Sequence, residues 1–537
     1  VRSKFGGMIL LMALAGVLLL ASCSTPSSPG TSSTSSVITK PFGSLVVAPN
    51  VLSAVMMDTT GKGVTVGIGF NVMVASVVDS LLQLDLAGQP SPMVAERWEI
   101  AKDGLSQTFY LRKGIKFHNG DDLTAADVKF TIDTMMAEAA HTYAAAWKSL
   151  ISKVEIKDDY TVVIYTKLPA FELLPGLATE RGEGAVLPKK YIEEKGWDYF
   201  AKNIVGSGPW KVLNFQIGTR LDLEANENYW GEVAKFKSVS FVSIREEATK
   251  VAMLKTGELD VAEVSPDSVP GLKTAGLRIV GHYGASQNYA ALFYDLDNPQ
   301  KLPFGDVRVR KAMSLAIDRK EVADKLYRGY AQPSALFYIP KTAYHFDPAL
   351  IKPDPLDADQ AKKLLAEAGY ANGFKTTIWD SGGGGIMTLV NQALSGYWSK
   401  IGITAEATPR DYTSVLKMFN PKHTPEIWGT IMGYTTAGSV YQFESTSTGY
   451  HTTKGAFKNA NNPKLNDLID KVPQTADPVE KKKLAVEAAV LAKNEYSILP
   501  VVDVDTIYAI GSKVGELKPV QGSTSLATTL ELISHPK

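Results

Sequence analysis

The segment PMVAERWEIAKDGLSQTFYLRKGIKFHNGDDLTAADVKFTID, Pro92 to Asp133, combines the two periodicities from which the rest of the chain is built. Around Phe109 and Leu111 apolar and polar residues alternate, which predicts a strand with one buried face. Thr124, followed three residues later by Asp127, is close to a capping box and predicts the start of a helix. A strand that leads into a capped helix favours the mixed α/β class.

The flanking segments continue this mixture of strands and helices, and we find no internal repeat. Valines and leucines recur at helical spacing in FNVMVASVVDSLLQLD, residues 70–85, which predicts a helix there. Further strands are predicted at residues 158–166 and 220–230. Gly369 and Gly402 each follow an amphipathic pattern and fit the left-handed position that closes a helix.

The length and the charge balance limit the possible classes of protein. At 537 residues the chain is too long for one compact core, so about two to four domains are expected. There are 56 Lys plus Arg and 56 Asp plus Glu residues. A zero balance gives no long-range field for a polyanion, which argues against a nucleic-acid partner.

The first residues, VRSKFGGMILLMALAGVLLLASCS, predict the compartment. Two basic residues precede an apolar run from Ile9 to Ala21, which has the length of a signal peptide and is too short for a comfortable membrane span. The run ends in Leu-Ala-Ser-Cys, which resembles a bacterial lipobox, so Cys23 is predicted to carry lipid after cleavage. The alternative is a plain signal peptide with a chance cysteine. Cys23 is the only cysteine of the chain, which fits a lipid attachment role and excludes an internal disulfide.

Residues 24–42 are rich in serine, threonine and proline and predict a flexible linker. We therefore expect an extracytoplasmic protein that is anchored by lipid on Cys23, in the periplasm or at the outer face of the cell membrane. No second apolar run is long enough to span a membrane, so the lipid is the expected membrane contact.

Signatures of catalysis and of metal binding are missing from the sequence. The seven histidines are scattered, with no pair at helical spacing and no neighbouring cluster of metal ligands. His118 is interpreted as a turn residue. The glycine-rich segment SGGGGIM, residues 381–387, lacks the lysine of a phosphate-binding loop and is interpreted as a flexible loop. We predict a protein that is not an enzyme and that needs no cofactor or metal.

Several segments together resemble one protein family. They contain a Leu-Arg-x-Gly-x-x-Phe-His strand, a Thr-Ala-x-Asp-Val helix start and a Gly-x-Gly-Pro turn, and the resemblance runs from about Leu81 to Asp505. The family is that of the family 5 solute-binding proteins of ABC importers, which includes receptors for oligopeptides, dipeptides and nickel. The segments that carry the resemblance are residues 92–133, 205–232, 250–264, 304–331, 357–370 and 398–403.

The resemblance implies a pear-shaped monomer in which two lobes close over a ligand by a hinge motion. The first lobe carries an extra domain, and two strands join the lobes near Ala291–Asp295 and near Val501–Asp505. The closed form is what the permease subunits of the importer recognise. The implied boundaries are 1–23 for the signal peptide, 24–42 for the linker, 43–85, 205–292 and 505–537 for lobe I, 86–204 for the extra domain and 293–504 for lobe II.

One segment departs from the family pattern. Peptide receptors of the family carry a Gly-Trp-x-x-Asp-Tyr-Pro-Asp-Pro segment in the second lobe, and its first aspartate meets the α-ammonium group of the peptide. The matching residues here, Gly433 to Ser439, read GYTTAGS and contain no acid. A charged amine in a closed cleft needs a compensating charge. The departure places peptide binding in question, unless Asp411 or Asp58 substitutes.

Hydroxyl groups and aromatic rings suit neutral polar ligands. The ligand is therefore a peptide, or else an oligosaccharide or another neutral or aromatic solute. Trp428 has a second interpretation as a core residue, because it alternates with Thr430 and Met432 on one strand. The predicted ligand-binding residues are Tyr434, Thr435, Thr436, Ser439, Tyr441, Trp428, Trp379, Tyr289, Asp411 and Tyr412.

The leading hypothesis is a lipid-anchored substrate-binding protein of an ABC importer, which captures a peptide or another small solute between its lobes. A secreted cleft hydrolase with paired carboxylates is the contrary hypothesis, since acidic residues are plentiful. A third is a surface lipoprotein that uses the same fold for signalling or adhesion.

Overall fold

The computed structural model describes residues 40–49, 76–86, 89–137, 147–148, 150–170, 173–178, 184–293, 303–337, 351–380, 386–410, 430–437, 462–518, 530 and 532–536. Cys23 and nearly all of the predicted linker lie outside these residues. No helix within the described ranges combines the length and the apolar character that crossing a membrane requires.

The strands are β1 (Ser44–Ala48), β2 (Leu82–Leu84), β3 (Pro90–Pro92), β4 (Ala95–Ile100), β5 (Ser106–Leu111), β6 (Ile151–Asp158), β7 (Thr161–Thr166), β8 (Trp210–Gln216), β9 (Arg220–Ala225), β10 (Ser238–Val242), β11 (Val261–Glu263), β12 (Arg278–Phe293), β13 (Ala331–Pro333), β14 (Lys375–Asp380), β15 (Thr404–Pro409), β16 (Thr430–Ala437) and β17 (Ile498–Ile510).

The α-helices are α1 (Ala125–Ala137), α2 (Leu173–Gly176), α3 (Lys189–Lys195), α4 (Trp197–Phe200), α5 (Glu247–Thr256), α6 (Val269–Thr274), α7 (Val307–Leu315), α8 (Arg319–Glu321), α9 (Ala358–Glu367), α10 (Ile386–Ser399), α11 (Pro463–Lys471) and α12 (Pro478–Glu495). A 3-10 turn at Pro303–Gly305 precedes α7, and a π-helical turn at Val322–Leu326 follows α8.

The strand around Phe109 and the helix that begins after Thr124, both predicted from the segment Pro92 to Asp133, are present in the structure. β5 alternates buried and half-buried residues. The Oγ1 atom of Thr124 accepts the N–H of Ala126 at 3.3 Å, and the Asp127 carboxylate accepts the N–H of Thr124 at 2.9 Å. Asp127 also accepts the N–H of Lys189 at 3.0 Å, so the cap of α1 holds the start of α3 as well.

One large sheet contains most of the strands, in the order β15-β14-β16-β12-β17-β11-β1-β10-β9-β8, with β13 added beside β17. β12 and β17 run through it side by side. Residues 278–282 of β12 pair with 506–510 of β17, and after a register shift residues 287–292 pair with 498–504. The first set lies next to β11 and the second next to β16. The sheet therefore has two halves that two continuous strands connect.

The apolar cores follow the same division, which defines two lobes and an extra domain. Lobe I packs on both faces of its half of the sheet, around Trp210 and around Leu272. Lobe II packs around Trp398, with a helical annex around Leu465. The antiparallel sheet β4-β5-β7-β6 and α1 form a separate core around Phe109.

Two expectations differ from the structure. Residues 82–84 form β2 and not the end of a helix. Val77 and Val78 enter the core of lobe I, whereas Leu81 and Leu82 enter that of the extra domain, so one apolar run serves two cores. The first strand crossing lies between His282 and Gln287, and residues 291–293 already pair with β16. The second crossing, at Asp505, agrees with the prediction.

The domain boundaries stay a proposal, which the cores refine. Leu81–Leu84 pack with the extra domain, and α3 and α4 contribute Ile192 and Phe200 to lobe I. We propose that the extra domain begins near Leu81 and ends near Val186.

Candidate functional site

The strand directions define the edges at which the lobes meet. β17 runs from lobe II into lobe I, and β14, β15 and β16 run in the same direction. β1, β10 and β11 run the opposite way. The carboxyl ends of the parallel strands of each lobe therefore point towards the other lobe. Ligands of open α/β sheets bind outside the carboxyl ends of the strands, so the space between the lobes is the candidate site.

The uncharged segment lies at this edge. Gly433 is paired with Asp380 at the end of β14, and Thr435 is opposite Tyr289 of β12. Tyr434, Thr435 and Thr436 thus occupy the carboxyl end of β16, as a binding segment requires. The predicted residues Trp428, Ser439, Tyr441, Asp411 and Tyr412, and the substitute acid Asp58, lie outside the described residues.

Tyr289 is placed in the core of lobe II and not on a surface of the cleft. Its side chain is fully buried, and its hydroxyl donates a hydrogen bond to Oδ1 of Asn391 on α10. Burial raises the pKa of Tyr289 well above its ordinary value. In this conformation the tyrosine packs α10 against the sheet, and the ring is not presented to a ligand.

Trp379 is at the carboxyl end of β14 and keeps 9% of its surface exposed. The Arg410 guanidinium lies over its ring, 4.7 Å from the centroid. The next residue, Asp380, is buried, and the hydroxyl of Thr388 donates to its carboxylate. Arg410 is not among the residues that the sequence predicts for the site. Its position immediately after β15, at the edge that faces lobe I, becomes apparent only from the strand directions.

The facing edge of lobe I is built around the start of α5. The Glu247 carboxylate accepts the N–H of Ser265 at 2.8 Å and the hydroxyl of Ser268 at 2.6 Å, which fixes the loop after β11. From this loop Asp267 reaches across to lobe II, where the Nε of Arg328 donates to it at 2.7 Å. An ion pair therefore joins the lobes beside the crossing strands.

The Gly-x-Gly-Pro segment, residues 206–209, carries part of the family resemblance. It connects lobe I to the extra domain through His118 and is not a ligand site. The Gly206 N–H donates to Nδ1 of His118 at 3.3 Å, and Nε2 lies 3.0 Å from the Gly208 carbonyl oxygen. This pattern fits a neutral imidazole with its proton on Nε2, and burial lowers the pKa of His118 to about 4.

Asp79 contributes to the same connection between lobe I and the extra domain. Its buried carboxylate accepts the hydroxyl of Tyr229 at 2.9 Å and the indole N–H of Trp230 at 2.6 Å. Burial raises the pKa of Asp79 to about 6. Within the described ranges no group of three histidine, cysteine or acidic side chains is arranged to hold a metal ion.

Residues 89–455 match the model of the bacterial extracellular solute-binding proteins, family 5. A curated relative is the glutathione-binding protein GsiB of Escherichia coli O1:K1, which is 29% identical over 440 residues and covers 80% of this chain and 83% of its own length.

Among solved structures, the periplasmic binding protein DppA of Helicobacter pylori, in complex with the peptide STSA, has a TM-score of 0.74 at 22% identity and covers 92% of this chain and 98% of its own. The binding protein MoaA of Agrobacterium tumefaciens R10, in complex with mannopinic acid, has a TM-score of 0.72 at 24% identity, with 92% and 100% covered. These likenesses show the two-lobed fold. Because the family match spans more than half of the sequence, the chain belongs to the family 5 extracellular solute-binding proteins.

Proposed function

We propose that this protein captures a short peptide or a peptide-like solute between its lobes and delivers it to an ABC importer. The observation that carries the proposal is the pair of facing sheet edges, joined by the continuous strands β12 and β17. Such an arrangement can open and close around a ligand by a hinge at the two crossings. The glutathione-binding relative and the peptide complex of the structural neighbour support the ligand class.

We further propose that the protein does no chemistry and is held at the membrane by lipid on Cys23. The lipobox and the polar segment after it support the anchor. The similarity to binding proteins over most of the chain supports binding without turnover.

A second ligand class is favoured by one specific feature. The carboxyl end of β16 carries no acid from Thr430 to Ala437, where peptide receptors of the family hold an ammonium group. A cleft without that acid need not select a free amino terminus, so neutral or aromatic solutes and oligosaccharides are the alternative ligands.

The test is a ligand screen on the full chain, extracted from the membranes of a producing bacterium. Glutathione, Ser-Thr-Ser-Ala, N-acetylated Ser-Thr-Ser-Ala, mannopinic acid and a maltooligosaccharide are compared by thermal unfolding. A ligand at a hundred times its Kd stabilises the folded state by about 2.7 kcal/mol. We expect stabilisation by a peptide or by glutathione, equal stabilisation by the N-acetylated peptide, and recovery of every ligand unchanged.

Stabilisation by the sugar alone would replace the peptide proposal with the alternative, and conversion of any ligand at catalytic rates would contradict binding without chemistry. The matched variant Cys23→Ser keeps its apolar signal segment, so the readout is the mass of each purified protein: the parent chain is expected to carry acyl chains and the variant none. A parent chain without the mass of acyl chains would show that lipid on Cys23 is not the anchor.

A further inference from the structure

Arg410 stands at the edge of lobe II that faces lobe I. It is the first residue after β15, and its backbone N–H donates to the carbonyl oxygen of Asp380 at 3.0 Å. β15 and β14 are parallel, with Thr408 opposite Trp379. Residues two apart lie on the same face of a strand, so Arg410 shares the face of Trp379, one step nearer to lobe I.

The indole of Trp379 holds the guanidinium in place. The two groups are 4.7 Å apart, and Arg410 is nevertheless exposed. Stacking of a guanidinium on an aromatic face limits the freedom of the side chain and leaves the N–H groups at its rim available for hydrogen bonds. No ion pair joins Arg410 to the carboxylate of Asp380, which is buried and accepts the hydroxyl of Thr388.

Most arginines of the described residues have a partner for their guanidinium. Arg220 and Arg308 pair with Asp222 and Asp306, and Arg319 donates to the carbonyl oxygen of Pro500. Arg410 forms no ion pair with any acidic residue in the described part of the chain.

Two other arginines each share one of these features with Arg410. Arg245, which follows β10 on the facing edge, is also exposed and forms no ion pair with the described residues. No aromatic ring among those residues stacks on its guanidinium. Arg97 is stacked on Tyr110 at 3.4 Å in the extra domain, but Glu99 already neutralises it. Arg410 therefore combines a fixed orientation with an open hydrogen-bonding rim.

We propose that Arg410, oriented by Trp379, receives a carboxylate of the bound solute. A guanidinium presents parallel N–H donors that match the two oxygens of a carboxylate, and this pairing is stronger than hydrogen bonding between neutral groups. The inference rests on the proposed function and deepens it, because it identifies the charge that the ligand must carry. A solute with a carboxylate is selected, and the same solute with an amide in that position is rejected.

The ligand carboxylate can be the carboxyl terminus of a peptide or an acid group elsewhere. The test measures the Kd of the full chain by calorimetry for glutathione, for its diamide, in which both carboxylates are replaced by amides, and for mannopinic acid. The same three ligands are measured with Arg410→Gln, Arg410→Lys and Trp379→Phe. Arg97→Gln is the matched control, since it removes a stacked arginine far from the sheet edge, and the thermal midpoint of each variant verifies folding.

We expect Arg410→Gln to weaken binding of the carboxylate ligand about 10- to 100-fold, as loss of a charged hydrogen-bond pair does. Arg410→Lys restores part of the affinity, and Trp379→Phe weakens binding less than Arg410→Gln does. The diamide binds the parent chain and Arg410→Gln equally. A loss confined to glutathione identifies a peptide terminus, and a loss confined to mannopinic acid identifies an acid of another kind.

Two results would overturn the inference and can be told apart. If the parent chain binds glutathione and its diamide with equal Kd, or if Arg410→Gln changes nothing, the protein binds solutes but Arg410 does not select them. If the parent chain binds none of the three ligands and Ser-Thr-Ser-Ala does not stabilise it either, the proposed function itself is contradicted for peptides and acidic solutes alike.

Discussion

His118 shows how one side chain ties the extra domain to lobe I. Both ring nitrogens are engaged, one by the Gly206 N–H and the other by the Gly208 carbonyl oxygen. A protonated imidazole has no acceptor, so it would lose the hydrogen bond from Gly206. The residue that the sequence presents as a simple turn therefore requires the neutral form.

This requirement predicts a loss of stability in acid. The pKa of His118 is about 4 in the folded protein, against an ordinary value near 6.5. Its contribution is therefore fully present above about pH 6.5 and is lost as the pH falls towards 4. The difference corresponds to about 3 kcal/mol. His118→Gln keeps a donor and an acceptor but does not titrate, so its free energy of unfolding by urea should fall less between pH 7 and pH 4.

The parent chain at pH 7 sets the reference, because the substitution has its own cost there. The slope against pH is the readout, and it does not depend on that cost. Equal slopes for the parent chain and the variant would show that the imidazole is protonated as readily in the folded protein as in the unfolded one.

At the scale of the elements, Gly373 before β14 and Gly402 before β15 approach each other closely, and Gly369 offers a comparison without such an approach. Gly373 has a φ of +69°, and a Cβ atom added there would lie 1.7 Å from the carbonyl oxygen of Gly402. Gly369, which ends the turn after α9, has a φ of +89° but no atom within 4 Å of such a Cβ. The two positions share the backbone conformation and differ in the space around it.

Alanine substitutions separate the two effects. Gly369→Ala is expected to lower the free energy of unfolding by about 1–2 kcal/mol, the cost of a left-handed conformation for a residue with a Cβ. Gly373→Ala carries the same cost and in addition pushes β14 away from β15, which adds about 1–3 kcal/mol. Urea unfolding of the two variants measures the difference. Similar losses in the free energy of unfolding would show that a Cβ atom at residue 373 does not displace β14 from β15.

The sequence predicts those elements whose signal is local. The cap of α1 depends on Thr124 and Asp127 alone, and the left-handed conformations of Gly369 and Gly402 follow from the ends of helical patterns. The register shift in β12 leaves no such mark in the sequence. Its position depends on which residues of β16 and β17 lie opposite, and a single sequence does not contain that information.

The candidate site, too, could be predicted only in part from the sequence. The uncharged segment at Gly433–Ala437 is visible in the sequence and lies at the edge of lobe II that faces lobe I. Tyr289, in the neighbouring strand β12, is predicted as a ligand residue but is buried in the core of lobe II, where its hydroxyl donates to Asn391 of α10. Arg410 could not be selected, since its importance depends on a stack with Trp379, 31 positions earlier in the chain.

At the scale of the whole molecule, contacts other than the shared strands connect the parts. Arg328 of lobe II pairs with Asp267 of lobe I, and Arg328 holds a φ of +51°, which is uncommon for a residue with a side chain. On α12 the buried Lys481 lies 3.4 Å from the carbonyl oxygen of Pro169 in the extra domain. Both contacts join parts that hinge opening would move relative to each other.

The ion pair between the lobes predicts a measurable shift in closure. The side chains of Arg328 and Asp267 are 50% and 71% exposed, so water screens the pair and its contribution is at most about 1 kcal/mol. Asp267→Asn should therefore raise the Kd of a bound solute by no more than about fivefold, because it weakens only the closed form. Calorimetry with glutathione measures the Kd, and small-angle scattering of the ligand-free chain measures the radius of gyration.

Glu99→Gln is the matched control, because it breaks an exposed pair with Arg97 inside the extra domain and should leave both quantities unchanged. We expect Asp267→Asn to increase the radius of gyration without ligand and to match the parent chain when ligand is saturating, since the solute then supplies the closing energy. The effect should also decrease in high salt, where an exposed pair is weak in the parent chain too. An unchanged radius together with an unchanged Kd would show that the crossing strands and the solute alone determine closure.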